Sequence, residues 1–317
     1  MTEFELIRRL LEHIPGARTD VVLGAGDDAA CLRPPPGREL VVSTDTLVAG
    51  VHFTPDVDPR ALGHKALAVN LSDLAAMGAE PAWATLALTL PEADPAWVDG
   101  FAAGFGALAA EHGVALVGGD TTRGPLAVGV TVIGSIEPGR ALRRDRAVPG
   151  DWICVSGALG EAGWWLTERR AGREPPPGNA LDWPQPRVAL GRALAGLAHA
   201  AIDVSDGLIA DLGHILEASG VGASVYLDGL PLGAPLRAQP DRAAMLQLAL
   251  TAGDDYELCF TVAEVDMARL DALQRRLGLP LSPIGRIEAK PGLRLLSEHA
   301  GALRIEAGGY DHFGRSG

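Results

Sequence analysis

The chain has 317 residues, 47% of them apolar and 21% charged, enough to bury a sizeable core as one large or two medium domains and too apolar for intrinsic disorder. A net charge of −13 argues against a general binder of nucleic acid or of anionic membranes, both of which call for a basic surface. It leaves anionic ligands open, because divalent cations can stand between phosphates and an acidic protein.

In chain order, residues 3–14 read as an amphipathic helix, with Phe4, Ile7, Leu10 and Leu11 on one face. The β-rich runs DVVLGAG (20–26) and ELVVSTD (39–45) follow. A helix is expected over 60–77, where Leu67, Leu71 and Leu74 fall at helical spacing, then a strand at WATLALTL (83–90) and a long helix over 95–112 stopped near Gly113. VALVGGD (114–120) and LAVGVTVIGSI (126–136) read as strands. The segment 137–151 is rich in Pro, Gly and Arg and reads as an interdomain crossing. Beyond it the pattern resumes: strand WICVSG, a helix after Gly160, strand AAIDVSD, a helix from Gly207, strand ASVYL, a helix over 241–250, strand YELCFTV, a helix over 264–277 and strand LSPIGRI. REPPPGNALDWPQP (173–186) reads as a surface loop. Two α/β domains, 1–137 and 138–317, are the economical picture.

Cys31, Cys154 and Cys259 are odd in number, far apart and each in an apolar context, so reduced and buried thiols are expected rather than disulfides or a zinc site. The N-terminus lacks the apolar core of a signal peptide, and no apolar run approaches membrane-spanning length, so a cytoplasmic location is the expectation.

The chemistry is carried by aspartates where predicted strands end: GAGDDAA (Asp27, Asp28), STDT (Asp45), GGDTT (Asp120), DVSDG (Asp203, Asp206) and GDDYE (Asp254, Asp255). Asp73, in NLSDLAAMGA, instead sits inside an apolar helix, three residues after Asn70, where an aspartate costs helix propensity. Any one of these alone reads as a turn or an N-cap before a ligand; Asp206 before Gly207 could cap the next helix, and Asp27 and Asp255 could cap or turn. Five such segments plus an intrahelical aspartate point to a metal site. Gathered carboxylates repel, so they are protonated or neutralised by cations. Magnesium suits carboxylate, hydroxyl and phosphate oxygens, and Ser43, Thr44, Thr46 and Thr121 place hydroxyls beside the acids. Neighbouring glycines let a polyphosphate approach the backbone. No Walker loop, GxGxxG helix start, protein-kinase signature set or GxSxG elbow is present.

GAGDDAACL, STDTLVAGVHF, HKALAVNLSDLAAMGAEP, GGDTT, IDVSDGL and GDDYELCF, in this order, resemble the thiamine-monophosphate kinase family of the aminoimidazole ribonucleotide synthetase-like superfamily, and the likeness runs from about residue 3 to GYDHF near the C-terminus. The resemblance implies an N-terminal α/β domain that dimerises, a C-terminal α/β sandwich, an active-site cleft between them, and transfer of the ATP γ-phosphoryl group to thiamine monophosphate. It implies magnesium ions on Asp28, Ser43, Thr44, Asp45, Asp73, Asp120, Asp203 and Asp206. It puts Gly119, Asp120, Arg144 and Ser205 at nucleotide-binding positions, and His52, Asp254 and Phe313 at positions contacting thiamine phosphate. No general base is implied, since the acceptor is already a phosphate oxygen. Two alternatives stand beside this reading: another ATP-dependent synthetase of the superfamily, whose members tend to carry Gly-Thr-Lys where this chain has TLVAGVHF, and a non-catalytic acidic metal-binding homologue.

Overall fold

The computed structural model describes residues 2–297, and its contacts divide the chain into two units: Met1–Leu74 with Ala79–Arg140, and Ala75–Gly78 with Ala141–Gly317. In the first unit the chain runs α1 (Glu3–His13), β1 (Val21–Leu23), β2 (Cys31–Leu32), β3 (Glu39–Val48), α2 (Pro59–Met77), β4 (Glu80–Leu90), α3 (Pro95–His112), β5 (Ala115–Arg123) and β6 (Ala127–Ile136). α1 starts at a capping box: Thr2 N–H donates to Glu5 Oε2 at 2.7 Å and Glu5 N–H to Thr2 Oγ1 at 3.3 Å. α3 starts at Asp94, whose carboxylate accepts from Ala96 N–H at 2.9 Å with Pro95 next, and it ends at Gly113, left-handed at φ 64°.

Four strands pair in the order β3-β6-β4-β5, antiparallel except for β4 with β5. Leu47, Leu86, Leu88, Val128, Val130 and Val132 turn inward along alternate positions and are buried. α2 is apolar on most of its circumference, as a helix packed between a sheet and another helix must be. Its axis lies close to α3. A Cβ on Gly63 would stand 2.0 Å from the Phe101 carbonyl oxygen, and one on Gly104 would stand 1.8 Å from that of Arg60.

The second unit comprises β7 (Trp152–Ser156), α4 (Glu161–Arg170), α5 (Val188–Leu194), β8 (Ala200–Asp203), α6 (Leu208–Ser219), β9 (Gly222–Tyr226), α7 (Ala234–Arg237), α8 (Arg242–Thr251), β10 (Leu258–Val262), α9 (Met267–Leu277), β11 (Leu281–Glu288) and β12 (Gly292–Leu296). Its six strands pair in the order β12-β9-β11-β7-β10-β8, all antiparallel except β12 with β9. A continuous apolar core, including Ile153, Val155, Ile202, Leu212, Ile215, Leu246, Leu250 and Ile284, joins sheet to helices. Among the described residues no helix is long and apolar enough to cross a membrane.

Three expectations need correction. Cys31 is exposed, because β2 is only two residues long, whereas Cys154 and Cys259 are buried and burial pushes both thiols upward, Cys154 to about 12. The 173–186 loop is anchored: Leu181 and Asn179 are buried, and Arg169 grips Asp182 with two hydrogen bonds of 2.8 and 2.5 Å. α5 and α7 add to the expected elements, being seven and four residues long and too short for helical periodicity to show in the sequence.

Gly104→Ala tests the α2–α3 approach. In an exposed helix the change would stabilise by about 1 kcal/mol. Here the added methyl meets the Arg60 carbonyl, so a net loss of about 1–3 kcal/mol is expected in chemical unfolding.

Candidate functional site

The acids of the first unit fall into two groups. One lies where β3 faces α2. The Ser43 hydroxyl donates to Asp73 Oδ2 at 2.5 Å, and Asp45 N–H donates to Asn70 Oδ1 at 3.1 Å. Asn70, buried, spends its amide on the Ala66 carbonyl at 3.0 Å, which fixes the orientation of its oxygen. The two-residue period of a strand puts Ser43 and Asp45 on the same face, and the i, i+3 spacing of a helix puts Asn70 and Asp73 opposite them. Burial, and after it the neighbouring Asp73 carboxylate, push the Asp45 carboxyl up to about 6. Thr44 lies on the other face, its hydroxyl 2.8 Å from that of Thr131 across the ladder. Only its backbone can therefore reach the Ser43–Asp45 side.

The second group lines a cavity of about 700 Å³. Asp27, Asp28, Gly118, Gly119, Asp120 and Thr121 form one wall, and Phe4, Ile7, Leu10 and Leu11 of α1 form an apolar one. Asp28 N–H donates to Asp27 Oδ1 at 2.9 Å, so the first aspartate of the pair shapes the turn that presents the second. Gly119 is required by packing: at φ 152° a Cβ would stand 1.9 Å from the Leu86 carbonyl oxygen. His52 lies beyond the end of β3, its Nδ1 accepting from Val48 N–H at 3.0 Å. A neutral His52 thus carries its proton on Nε2, where it can donate to an anion.

In the second unit, two loops are laced together. Asp254 N–H donates to the Ser205 carbonyl at 2.9 Å, and Tyr256 N–H to that of Val204 at 2.8 Å. Asp254 and Tyr256 both adopt left-handed backbone, at φ 67° and 49°, a strained choice for residues with side chains. The Tyr256 hydroxyl donates to Asp254 Oδ1 at 3.0 Å. Behind them lie buried acids. Asp255 accepts from Gly160 N–H at 2.8 Å, and burial raises its carboxyl well above the usual range against the pull of that amide. Glu257 takes Arg187 Nε at 2.7 Å, with a second Arg187 bond and one from Ser156 on the same carboxylate.

The backbone of Arg144 is fastened at one end of α6 and Ser205 lies just before the other. Ser219, the last residue of α6, accepts from Ala147 N–H and donates to the Arg144 carbonyl at 2.8 Å, while Ser205 precedes the first residue of that helix. Twelve residues at 1.5 Å each separate these ends by roughly 18 Å. Arg143 forms a two-pronged pair with Asp145, which holds the Asp145 carboxyl below its ordinary range. Phe313 lies outside the described residues.

Among the described residues no three His, Cys, Asp or Glu side chains gather as a ready-made metal site. The donors that do meet, two carboxylates and a hydroxyl, suit magnesium, which shares its shell with water and substrate phosphates. Asp211, buried in α6, escaped the sequence reading: it accepts from the backbone N–H groups of Ser205, Asp206 and Gly207. Burial pushes it to about 6, with the Asp206 amide opposing. The signal lay in an aspartate one turn inside the helix that follows SDG, where the helix-start amides converge.

Comparison with known proteins gives a consistent family. Residues 26–136 match the AIR synthase related protein N-terminal domain, and residues 148–297 its C-terminal domain. Thiamine-monophosphate kinase of Salmonella typhimurium is 47% identical over 319 residues, covering 98% of each chain. The crystal structure of thiamine-monophosphate kinase from Stenotrophomonas maltophilia is 49% identical with a TM-score of 0.85, over 92% of this chain and 94% of that one. A structure described as AaThiL complexed with AMPPCP and TMP is 29% identical with a TM-score of 0.74, over 98% and 96%. With two AIR synthase related domains and near-complete coverage by such relatives, the chain belongs to the thiamine-monophosphate kinase family.

Proposed function

We propose that this chain transfers the γ-phosphoryl group of ATP to the phosphate of thiamine monophosphate, giving thiamine diphosphate and ADP. The observation that carries the reading is the 47% identity, end to end, to a kinase of that name, and the Ser43–Asp45–Asp73 group fits it. An oxygen of the acceptor phosphate attacks the γ-phosphorus, the bond to the β-bridging oxygen breaks, and ADP leaves with its electron pair. The attacking oxygen is largely ionised near neutral pH, so no side chain need take its proton. The residues bring two anions together and hold them in line, and positioning with charge neutralisation is almost all the catalysis such a reaction needs.

The metal-binding residues in this reading are Asp28, Asp45, Asp73, Asp120, Asp203 and Asp206, with Ser43 and the backbone of Thr44. Magnesium there would neutralise phosphate charge and align the phosphates. Gly119, Asp120, Arg144 and Ser205 serve the nucleotide, Arg144 by the paired hydrogen bonds a guanidinium gives a phosphate. His52, Asp254 and Phe313 serve the thiamine phosphate, His52 through its Nε2–H. The protein is proposed to act in the cytoplasm as a homodimer. Support for the dimer comes from β3, whose outward face carries Leu40, 49% exposed, and Val42, 60% exposed, beside Thr44 and Thr46. Adjacent apolar side chains on an open sheet face suit burial against a second copy.

Purified protein with ATP, magnesium and thiamine monophosphate should form thiamine diphosphate, read by chromatography; none formed at any magnesium concentration defeats the assignment. Asp45→Asn and Asp73→Asn should each lower kcat by ~100-fold or more while circular dichroism stays unchanged. Wild-type rates at saturating magnesium would remove both from the site.

The raised Asp45 carboxyl also has a stability consequence without metal. Its folded value lies above the unfolded one, so its stabilising share is complete below pH 4 and is lost as pH rises through about 6. Relative to wild type, metal-free Asp45→Asn should therefore gain stability as pH rises across that window, and a pH-independent difference in unfolding midpoint would contradict the raised carboxyl. Val42→Asp should convert a dimer to a monomer in light scattering. An unchanged mass would show that this face is not the interface.

A further inference from the structure

We propose that Asp211 is a positioning residue: its carboxylate gathers the backbone amides of Ser205, Asp206 and Gly207 and so fixes the loop that presents Asp203, Ser205 and Asp206. This rests on the reading of that loop as a nucleotide and metal segment. Asp211 is 2% exposed. A single oxygen, Oδ2, accepts from Ser205 N–H at 3.0 Å, Asp206 N–H at 3.0 Å and Gly207 N–H at 3.1 Å. Three successive amides turned to one point make a concave seat for an anion. Here the seat is filled from within the chain, so a phosphate reaching this loop must be met by the Ser205 hydroxyl and by a cation on Asp206 and not by those amides.

The loop's other backbone groups are committed as well. Asp211 N–H donates to the Gly207 carbonyl at 3.0 Å, and the Ser205 carbonyl accepts from Asp254 N–H at 2.9 Å. Gly207, at φ 114°, has the Thr251 backbone 2.8 Å from where a Cβ would stand, so the turn cannot relax to that side. Without the Asp211 oxygen, three neighbouring amides would lose that acceptor at once. The two half-buried side chains that face the nucleotide in this reading would then sample a wider range of positions.

The experiment uses the full chain as wild type, Asp211→Asn and Asp211→Ala. The asparagine keeps an oxygen acceptor but loses its charge; the alanine removes the acceptor. The expected result is a selective rise in KM for magnesium-ATP, about threefold for Asp211→Asn and about tenfold or more for Asp211→Ala, with KM for thiamine monophosphate within about twofold of wild type. A merely structural role would move both constants together or only the unfolding temperature. Unchanged constants, or both rising in proportion, overturn the proposal, and if Asp211→Ala does not fold then Asp211→Asn decides by the same criterion. Amide hydrogen exchange at residues 205–207 separates this inference from the assigned reaction. If wild type makes no thiamine diphosphate, faster exchange in the variants still supports the anchoring and wild-type exchange rates refute it.

Discussion

Two carboxylates held near each other, one on a strand and one on a helix, set the terms for the first unit. Asp45 and Asp73 repel, and the partial burial of Asp45 adds a desolvation cost, so their proximity is a load that the rest of the unit must bear. It is borne by rigidity. β3 sits at the edge of the sheet but is paired along its whole length with β6, from Glu39 opposite Ile136 to Val48 opposite Ala127. α2 is locked against α3 at Gly63 and Gly104, where only a missing Cβ allows the backbones to touch. Ser43 and Asn70 then occupy the space between, the first donating to Asp73 and the second accepting from the Asp45 amide. A looser helix would let the carboxylates drift apart and relax their repulsion.

Much of this was legible in the sequence because the relevant periods are simple. An aspartate in an apolar helix stands out against its neighbours, and Asn70 and Asp73 share a face by spacing alone. The strands and long helices of both units likewise follow their apolar pattern. What could not be read was direction and context. Ser43, Thr44 and Asp45 are consecutive, yet a strand sends the middle hydroxyl to Thr131. Cys31 has apolar neighbours but belongs to a strand too short to be covered. Each of these depends on which elements pair in three dimensions, information that a local window of residues does not hold.

The glycines tell a similar story from the side of packing. Gly119 in GGDTT invites a reading as a phosphate-approach residue, and it does line the cavity beside Asp120. Its first duty is nonetheless steric, since the parallel pairing of β4 with β5 brings the Leu86 carbonyl against its Cα. The two explanations are compatible: a strand end without a side chain both packs tightly and leaves room above it. Substitution there would disturb fold and site together, so Gly119 cannot serve to separate binding from stability.

The second unit fits what the direct transfer proposed above would ask of a protein. Where no nucleophile or general base acts, rate depends on where groups are held. The DVSDG and GDDYE loops meet this by cross-bonding their backbones, and the left-handed Asp254 and Tyr256 persist because Asp255 and Glu257 are tied down on either side. Buried acids therefore appear in pairs with half-buried ones along the chain: Asp255 after Asp254, Asp211 after Asp206. In each pair the hidden carboxylate takes backbone amides. Part of the surplus of aspartates in these loops follows from this use, because a loop built on internal anions has its shape set by the chain itself.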